Sequence, residues 1–352
     1  MNAREPGSAA RRVTLDDVAR VAGVSRATAS RVVNGSHPVN QAKTDAVRAA
    51  VDSLGYVPDL VARSLMTRRT DMVALVAGEP DVRVFTDPYF AGIVRGVSEV
   101  LADADVRLVL SMVHRNTDVA LVEKYLLGGH CDGVLVISEH ASASIVGRLA
   151  AAGVPVVLGG HPSVPGLDLP FVDHDNVAGG RLAAGHLLRR GCRRIATIAG
   201  PVDMSAGVDR LIGFREAMGE AFAPERVAHG DFTVAGGVAA AERLLAVDPR
   251  IDGIFAASDL MALGALQVLR REGRRVPDDV ALVGFDDIDL GRTSTPPLTT
   301  VRQDPEQQGR LMVQLLLQTL GRQGDLPKAS RDTLAGKTSV ILPVQLVVRS
   351  SA

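Results

Sequence analysis

The residues with the clearest chemical potential lie within a few positions of one another near the start of the chain. Ser25, Arg26, Thr28, Ser30 and Arg31, with Ala27 beside them, share the exposed face of a short helical pattern. Small hydroxyls hydrogen-bond phosphate oxygens, and an arginine can grip O6 and N7 of guanine through two parallel bonds, so this set suits a DNA duplex. An ordinary α-hairpin with a solvated basic face is the competing reading. Other chemistries find little support. The patterns GxSxG, GxxxxGK[ST], HExxH and GxGxxG are missing, and the eight histidines are scattered without a ligand spacing. Cys131 and Cys192 lie far apart and outside any CxxC pair, which argues against both a disulfide framework and a zinc site. No catalytic residue, metal or cofactor is therefore expected.

The elements that must position the basic face are legible. Thr14, with an acid three residues on at Asp17, makes a capping-box start, and Leu15, Val18, Ala19 and Ala22 then fall on one helical face until Gly23 ends the helix. Ser25 is a good N-cap for a second helix, apolar along Ala29, Val32 and Val33 and stopped by Asn34-Gly35. A third spans about Gln41 to Leu54, with Ala42, Val47, Ala50, Val51 and Leu54 inward and Gly55 as its stop. Two short helices joined through Ala22-Gly23-Val24 form a helix-turn-helix, whose second helix enters the major groove while the first crosses the backbone.

Charge supports the same division. Residues 1–70 hold eleven Lys/Arg against six Asp/Glu, a net of +5, which leaves −6 for residues 71–352. A basic head that meets phosphates is joined to an acidic body that does not. At 352 residues the chain has room for two or three domains. Its apolar runs are broken well short of the roughly 18–20 residues a membrane span needs, and the opening MNAREPGSAARR reads as a disordered basic tail rather than a signal peptide. A cytoplasmic location, with no membrane partner, is the expectation.

From Asp71 apolar runs alternate with amphipathic helices, the texture of βαβ units around a parallel sheet. Strands are expected at Met72–Ala77, Arg107–Met112, Gly133–Ile137, Pro155–Leu158, Arg194–Ala199, Gly253–Ala256 and Ala281–Phe285. Helices are expected at Ala91–Ala104, Asp118–Leu127, Ser144–Ala152, Asn176–Arg190, Leu211–Ala221, Gly236–Ala246 and Met261–Glu272. A break near Val172–Asn176 separates two groups, suggesting an α/β body of two Rossmann-like lobes. In such sheets a ligand sits at the carboxyl ends of the strands, here in the cleft between lobes.

The run VTLDDVARVAGVSRATASRVVNGSHPVN and the following AVRAAVDSLGYVPDLVARSL resemble the headpiece of the LacI/GalR family of bacterial transcriptional regulators. The resemblance continues through DPYFAGIVRGV, DGVLVIS, GVPVVL, VDHDNVAGGRLAAGHLLRRG, DRLIGFREAM, ASDLMALGAL, VPDDVALVGFDDIDL and PPLTTVRQD, from Val13 to about Leu320. It implies an all-α helix-turn-helix headpiece followed by two lobes of periplasmic-binding-protein type. It puts the base-reading pair on Arg26 and Ala27, a further contact on Arg31, and phosphate anchors on Thr14, Ser25, Thr28, Ser30 and Asn34. Leu15 and Tyr56 complete the headpiece set. A hinge helix over about Asp59 to Met66 would carry the minor-groove leucine, Leu65, with Ala62 and Arg63 beside it.

For the effector the resemblance implies a grip by Arg210 and Asp286 of the second lobe on a ligand's polar groups. Ser258 stands where sugar-binding relatives often carry Asn, and Gly160 where many carry Asp. Tyr89 and Phe90, with Phe85 nearby, and Phe232 across the cleft are candidates to stack on a sugar face or flat ring. The implied organisation is a tail at 1–12, a DNA-binding domain at 13–58, a hinge at 59–70 and an effector and dimerisation domain at 71–352. Lobe one takes about 71–173 and 301–333, and lobe two about 174–300 and 334–352. The chain stops after a strand expected over Pro343 to Val348, without the added heptad helix that makes tetramers, so a homodimer on a palindromic double-stranded operator is expected. The expected effector is a small molecule, a carbohydrate or related metabolite. An uptake binding protein would share the lobes but have no use for the basic head.

Overall fold

The computed structural model describes residues 13–34, 39–57, 69–113, 116–141, 144–163 and 166–352. The expected tail, the hinge helix and its Ala62, Arg63 and Leu65 lie outside these residues. The chain divides into two compact units, residues 1–70 and 71–352.

In the first unit α1 (Leu15–Val21) opens with both halves of the capping box: Thr14 accepts from the Asp17 N–H, and the Asp17 carboxylate accepts from the Thr14 N–H at 3.1 Å. Thr28 N–H donates to Ser25 Oγ at 3.2 Å at the head of α2 (Arg26–Asn34), and α3 (Gln41–Leu54) ends on Gly55 at φ +58°. Val18, Ala19, Ala29, Val47 and Ala50 form the core, with Leu15, Val32, Val33 and Tyr56 packed against it. Ala42 is exposed, contrary to expectation; it lies in the first turn of α3, ahead of the first buried residue, Val47.

The second unit holds two six-stranded sheets. The first runs in the order β11-β5-β4-β3-β1-β2 and is parallel throughout: β1 (Met72–Ala77), β2 (Arg107–Met112), β3 (Gly133–Ile137), β4 (Val156–Gly159), β5 (Phe171–His174) and β11 (Ser339–Leu342). The second runs β12-β10-β9-β8-β6-β7, built from β6 (Ile195–Ala199), β7 (Val227–His229), β8 (Gly253–Ala256), β9 (Ala281–Asp286), β10 (Thr299–Arg302) and β12 (Gln345–Val347). Its only antiparallel pair is β10 with β12. Central strands such as β3 and β6 are buried along their whole length, as a sheet covered on both faces requires.

The chain passes between the sheets three times, after β5, after β10 and between β11 and β12. The third passage corrects the expected boundary at 334: Ser339–Leu342 still pairs with Phe171–His174, so the return falls at Pro343-Val344. The strand expected over Pro343 to Val348 is accordingly shorter, at Gln345–Val347, since the proline cannot donate to a ladder. Among the described residues no helix is long and apolar enough to cross a membrane.

Helices cover both sheets. In the first lobe α4 (Asp81–Thr86) and α5 (Pro88–Asp103) follow β1, α6 (Asn116–Leu127) follows β2 and α7 (Val146–Ala151) follows β3. In the second, α8 (Asn176–Arg189) and α9 (Ser205–Met218) flank β6, α10 (Val234–Val247) follows β7 and α11 (Asp259–Arg271) follows β8. α13 (Pro305–Thr319) returns to the first lobe, after a one-turn α12 (Asp289–Thr293). α8 and α9 touch backbone to backbone: a Cβ on Gly213 would lie 1.9 Å from the Val177 carbonyl oxygen. Gly213→Ala must push the two helices apart, and we expect it to cost about 1–3 kcal/mol in a urea unfolding titration.

Candidate functional site

Two sites emerge. On the first unit the face named from the sequence is available. Ser25, Arg26, Ala27 and Arg31 are exposed, whereas Thr28 and Ser30 are half-buried. Ser25 Oγ and Thr28 Oγ1 lie 2.8 Å apart, which fixes both hydroxyls at the start of α2. Among the described residues Arg26 meets Asp16, at 3.5 Å, in a pair exposed on both sides. Such a pair holds the guanidinium weakly and leaves it able to exchange partners. Thr14 is exposed at the mouth of α1, and Leu15 and Tyr56 pack on the core, supporting this surface from behind. For Asn34 the structure gives its place, the last residue of α2.

The second site is the cleft between lobes, walled by the carboxyl ends of the strands. Tyr89, Gly160, Arg210, Phe232, Ser258 and Asp286 all line it. Arg210, on α9, is almost wholly buried. Its Nε donates to Asn176 Oδ1 at 2.9 Å and its Nη1 to the Ala257 carbonyl at 2.6 Å, while the guanidinium carbon stands 3.6 Å from the centre of the Phe285 ring. Asp286 lies 3.6 Å from Nη1. Burial pushes the Asp286 carboxyl well above its ordinary range even so, with Arg210 opposing, and burial also lowers the Arg210 guanidinium. An effector hydroxyl or acid bonded here replaces solvation that the cleft has already removed.

Asp286 and Asp287 sit at φ +110° and +61°, conformations that side chains other than glycine rarely adopt. The surroundings hold them there. Asp287 accepts from Arg302 Nε at 2.6 Å and also from Arg292 and Arg349, and Asp259 accepts the Ile288 N–H at 2.9 Å. Burial works against the charged form of Asp287, but these arginines keep it below the usual carboxylate range. Gln303 then donates to Asp286 Oδ1 at 2.6 Å. Phe232 is likewise at φ +63°, with the guanidiniums of Arg83 and Arg210 at 5.3 Å and 5.6 Å from its ring centre. Strained residues held in place by bonds, two of them lining the cleft, are a feature of ligand sites.

Tyr89 donates to Gln308 Oε1 at 3.1 Å, and burial raises its phenol. Ser258 is the N-cap of α11, accepting the Met261 N–H at 3.2 Å. Gly160 has φ +116°, a backbone conformation that residues with a side chain rarely adopt. Phe90 is the exception: one residue past Tyr89 on α5, it is turned about 100° away into the first-lobe core with Ile93 and Val97. Phe85 is exposed and does not line the cleft.

Sequence reasoning passed over several lining residues. Asp173 is the penultimate residue of β5 and Gln303 follows β10, and both strands were unrecognised. Asp173, raised by burial, accepts the His161 N–H at 3.0 Å and the Asn176 amide at 3.0 Å. His161 Nε2 reaches across to Asp209 of the second lobe at 3.0 Å, and His140 Nδ1 to Asp203 at 3.0 Å. His161, Asp173 and Asp209 bring three possible ligand atoms within 4.8 Å of one another. With the imidazole already on Asp209 and both Asp173 oxygens accepting N–H bonds, the group is complete as a hydrogen-bonded cluster.

The hydrogen bond to Asp209 lifts His161 to about 9. Its contribution is therefore full below about pH 6.5, the value of a free imidazole, and is lost as pH rises through about 9. We expect Asp209→Asn to lower the urea midpoint relative to wild type at pH 6 and to leave no difference at pH 10. A difference of the same size at both values would remove this ion pair from the cleft's stability.

Residues 14–59 match the family model for bacterial regulatory proteins of the lacI family, and residues 184–352 match that for a periplasmic binding protein-like domain. The HTH-type transcriptional regulator CelR of Thermobifida fusca is 46% identical over 349 residues, spanning 97% of this chain and 98% of that protein. A solved structure of a transcriptional regulator CelR–cellobiose complex is 44% identical, with a TM-score of 0.75 over 97% of this chain and 100% of the other. The lac repressor dimer bound to operator and the anti-inducer ONPF is 28% identical, with a TM-score of 0.82 over 97% and 99%.

Proposed function

This chain belongs to the lacI family of bacterial regulatory proteins, and we propose that it is a homodimeric repressor whose hold on a palindromic operator is switched by a carbohydrate bound between its lobes. It is a DNA-binding transcriptional regulator with a helix-turn-helix head. It acts in the cytoplasm, on chromosomal DNA, and we assign it no catalytic step. One observation carries the effector reading: a buried guanidinium and a buried carboxylate, Arg210 and Asp286, face one cleft with an aromatic ring, Phe232, beside them. Directional polar groups around an aromatic face suit a ring of hydroxyls. The relative solved with cellobiose, at 44% identity, supports the same class.

A ligand can move the operator equilibrium only by the difference between its affinities for the DNA-competent and DNA-incompetent forms. Closure of the lobes on the effector supplies that difference, and the hinge segment at 59–70 carries it to the headpiece. The test is a thermal-shift panel of glucose, cellobiose, ribose, nucleosides and purines on the full-length protein. At 100 times its dissociation constant the effector adds about 2.7 kcal/mol of stability. A nucleoside or purine that stabilises while every sugar fails would overturn the carbohydrate assignment. Recovery of no palindrome from a random DNA pool would overturn the dimeric operator.

A further inference from the structure

We propose that the effector site continues into a second compartment towards the mouth of the cleft, and that Arg83, at the threshold, selects a two-ring saccharide over a one-ring one. The inference rests on the carbohydrate reading above. Arg83, Asp87, Val136, Glu139 and Phe232 wall both compartments, so the two are continuous. Beyond them the character changes. The inner part is lined mainly by polar groups, whereas the outer is lined by Val82, Val113, Ile145, Val146, Val234 and Leu260.

Carboxylates stand among these apolar walls. Glu79 bonds Arg83 and His140 through Oε1, and Asp231 bonds Thr233 through Oδ1, which leaves Oε2 and Oδ2 to accept. A pyranose has the matching division, with C–H faces and a rim of hydroxyls. Its faces suit the valines and leucine, and its hydroxyls suit the carboxylate oxygens. An aryl group would cover the same walls but strip water from the carboxylates without replacing their bonds, which disfavours it.

Arg83 lies on α4, directly after β1. Its side chain is 13% exposed; Nη1 donates to Glu79, and the buried Nε has no partner among the described residues. A buried donor without an acceptor is costly, and an oxygen near the linkage between two rings, one in each compartment, would satisfy it. The guanidinium also stands 5.3 Å from the centre of the Phe232 ring, which lines both compartments.

The test compares glucose with cellobiose, its β-1,4-linked dimer, by isothermal titration on the full-length protein. Wild type is expected to bind cellobiose at least about ten-fold more tightly. Arg83→Lys keeps a positive charge opposite Glu79 but loses the Nε–H, and is expected to cut that preference about ten-fold. A second variant reports occupancy directly. Val82 is 70% exposed and lines the outer compartment, and the chain has no tryptophan, so Val82→Trp places a single indole there. Its emission should change with saturating cellobiose and stay constant with glucose. Equal loss of affinity for both sugars in Arg83→Lys, or an indole indifferent to bound cellobiose, would overturn the second compartment while leaving the carbohydrate reading intact. Failure of every sugar to bind would remove both.

Discussion

Arg210→Lys is expected to weaken effector binding about 100-fold. In the structure Nε and Nη1 are engaged by Asn176 and Ala257, which leaves Nη2, among the described residues, as the terminal nitrogen available to an effector. An ammonium cannot copy that fork, nor the stacking on Phe285 at 3.6 Å. Alanine is the poorer probe. It would leave Asn176 Oδ1, the Ala257 carbonyl and Asp286 without their cation, and breaking a buried pair costs about 3–5 kcal/mol of stability. Asp286→Asn keeps an oxygen for Gln303 and tests the carboxylate separately, with an expected loss of about 10–100-fold. Operator titrations by fluorescence anisotropy, with and without effector, measure both. Wild-type responses in the two variants would place the effector elsewhere.

The second large effect is on DNA. Arg26→Ala is expected to cost about 1–3 kcal/mol on the specific site and to relax one base position in each half-site. Little of that loss can come from the fold, because the side chain is 71% exposed and its ion pair with Asp16 is exposed as well. Selection from a random pool by wild type and variant reads the change position by position. Non-specific binding should lose much less, since that depends on total positive charge rather than on one bidentate contact. A variant that selects the wild-type consensus at every position would remove Arg26 from base reading.

What could be read beforehand depended on how local the determining physics is. The capping box at Thr14 and Asp17, the stop at Gly55 and strands such as Met72–Ala77 and Gly133–Ile137 follow from near neighbours, and the structure has them where the pattern put them. Phe171–His174, Val227–His229 and Thr299–Arg302 are strands of three or four residues, too short to carry a period, and they exist because a neighbouring strand offers a ladder. Pro305–Thr319 went unrecognised for the opposite reason. Leu311, Met312, Val313, Leu315, Leu316 and Leu317 are all buried, so the polar stripe of its second half narrows to Gln314 and Gln318. The cleft followed the same rule. Arg210 and Asp286 were found through the family resemblance, whereas Asp173, Gln303 and Arg83 gain meaning only once strand ends distant in sequence meet.

The three passages between lobes set an order of events at the ribosome. The headpiece is one contiguous stretch and can fold as soon as it emerges. Neither sheet of the body has its full set of strands until Ser339–Leu342 and then Gln345–Val347 have been synthesised. A nascent chain therefore presents a finished DNA reader for the whole time that its sensor is still an open-edged intermediate. Premature termination in the few dozen codons before Ser339 would release a protein with an intact headpiece, two unpaired sheet edges and no competent switch. Such fragments would be prone to aggregate through those edges, which makes their removal by quality control a condition for clean regulation.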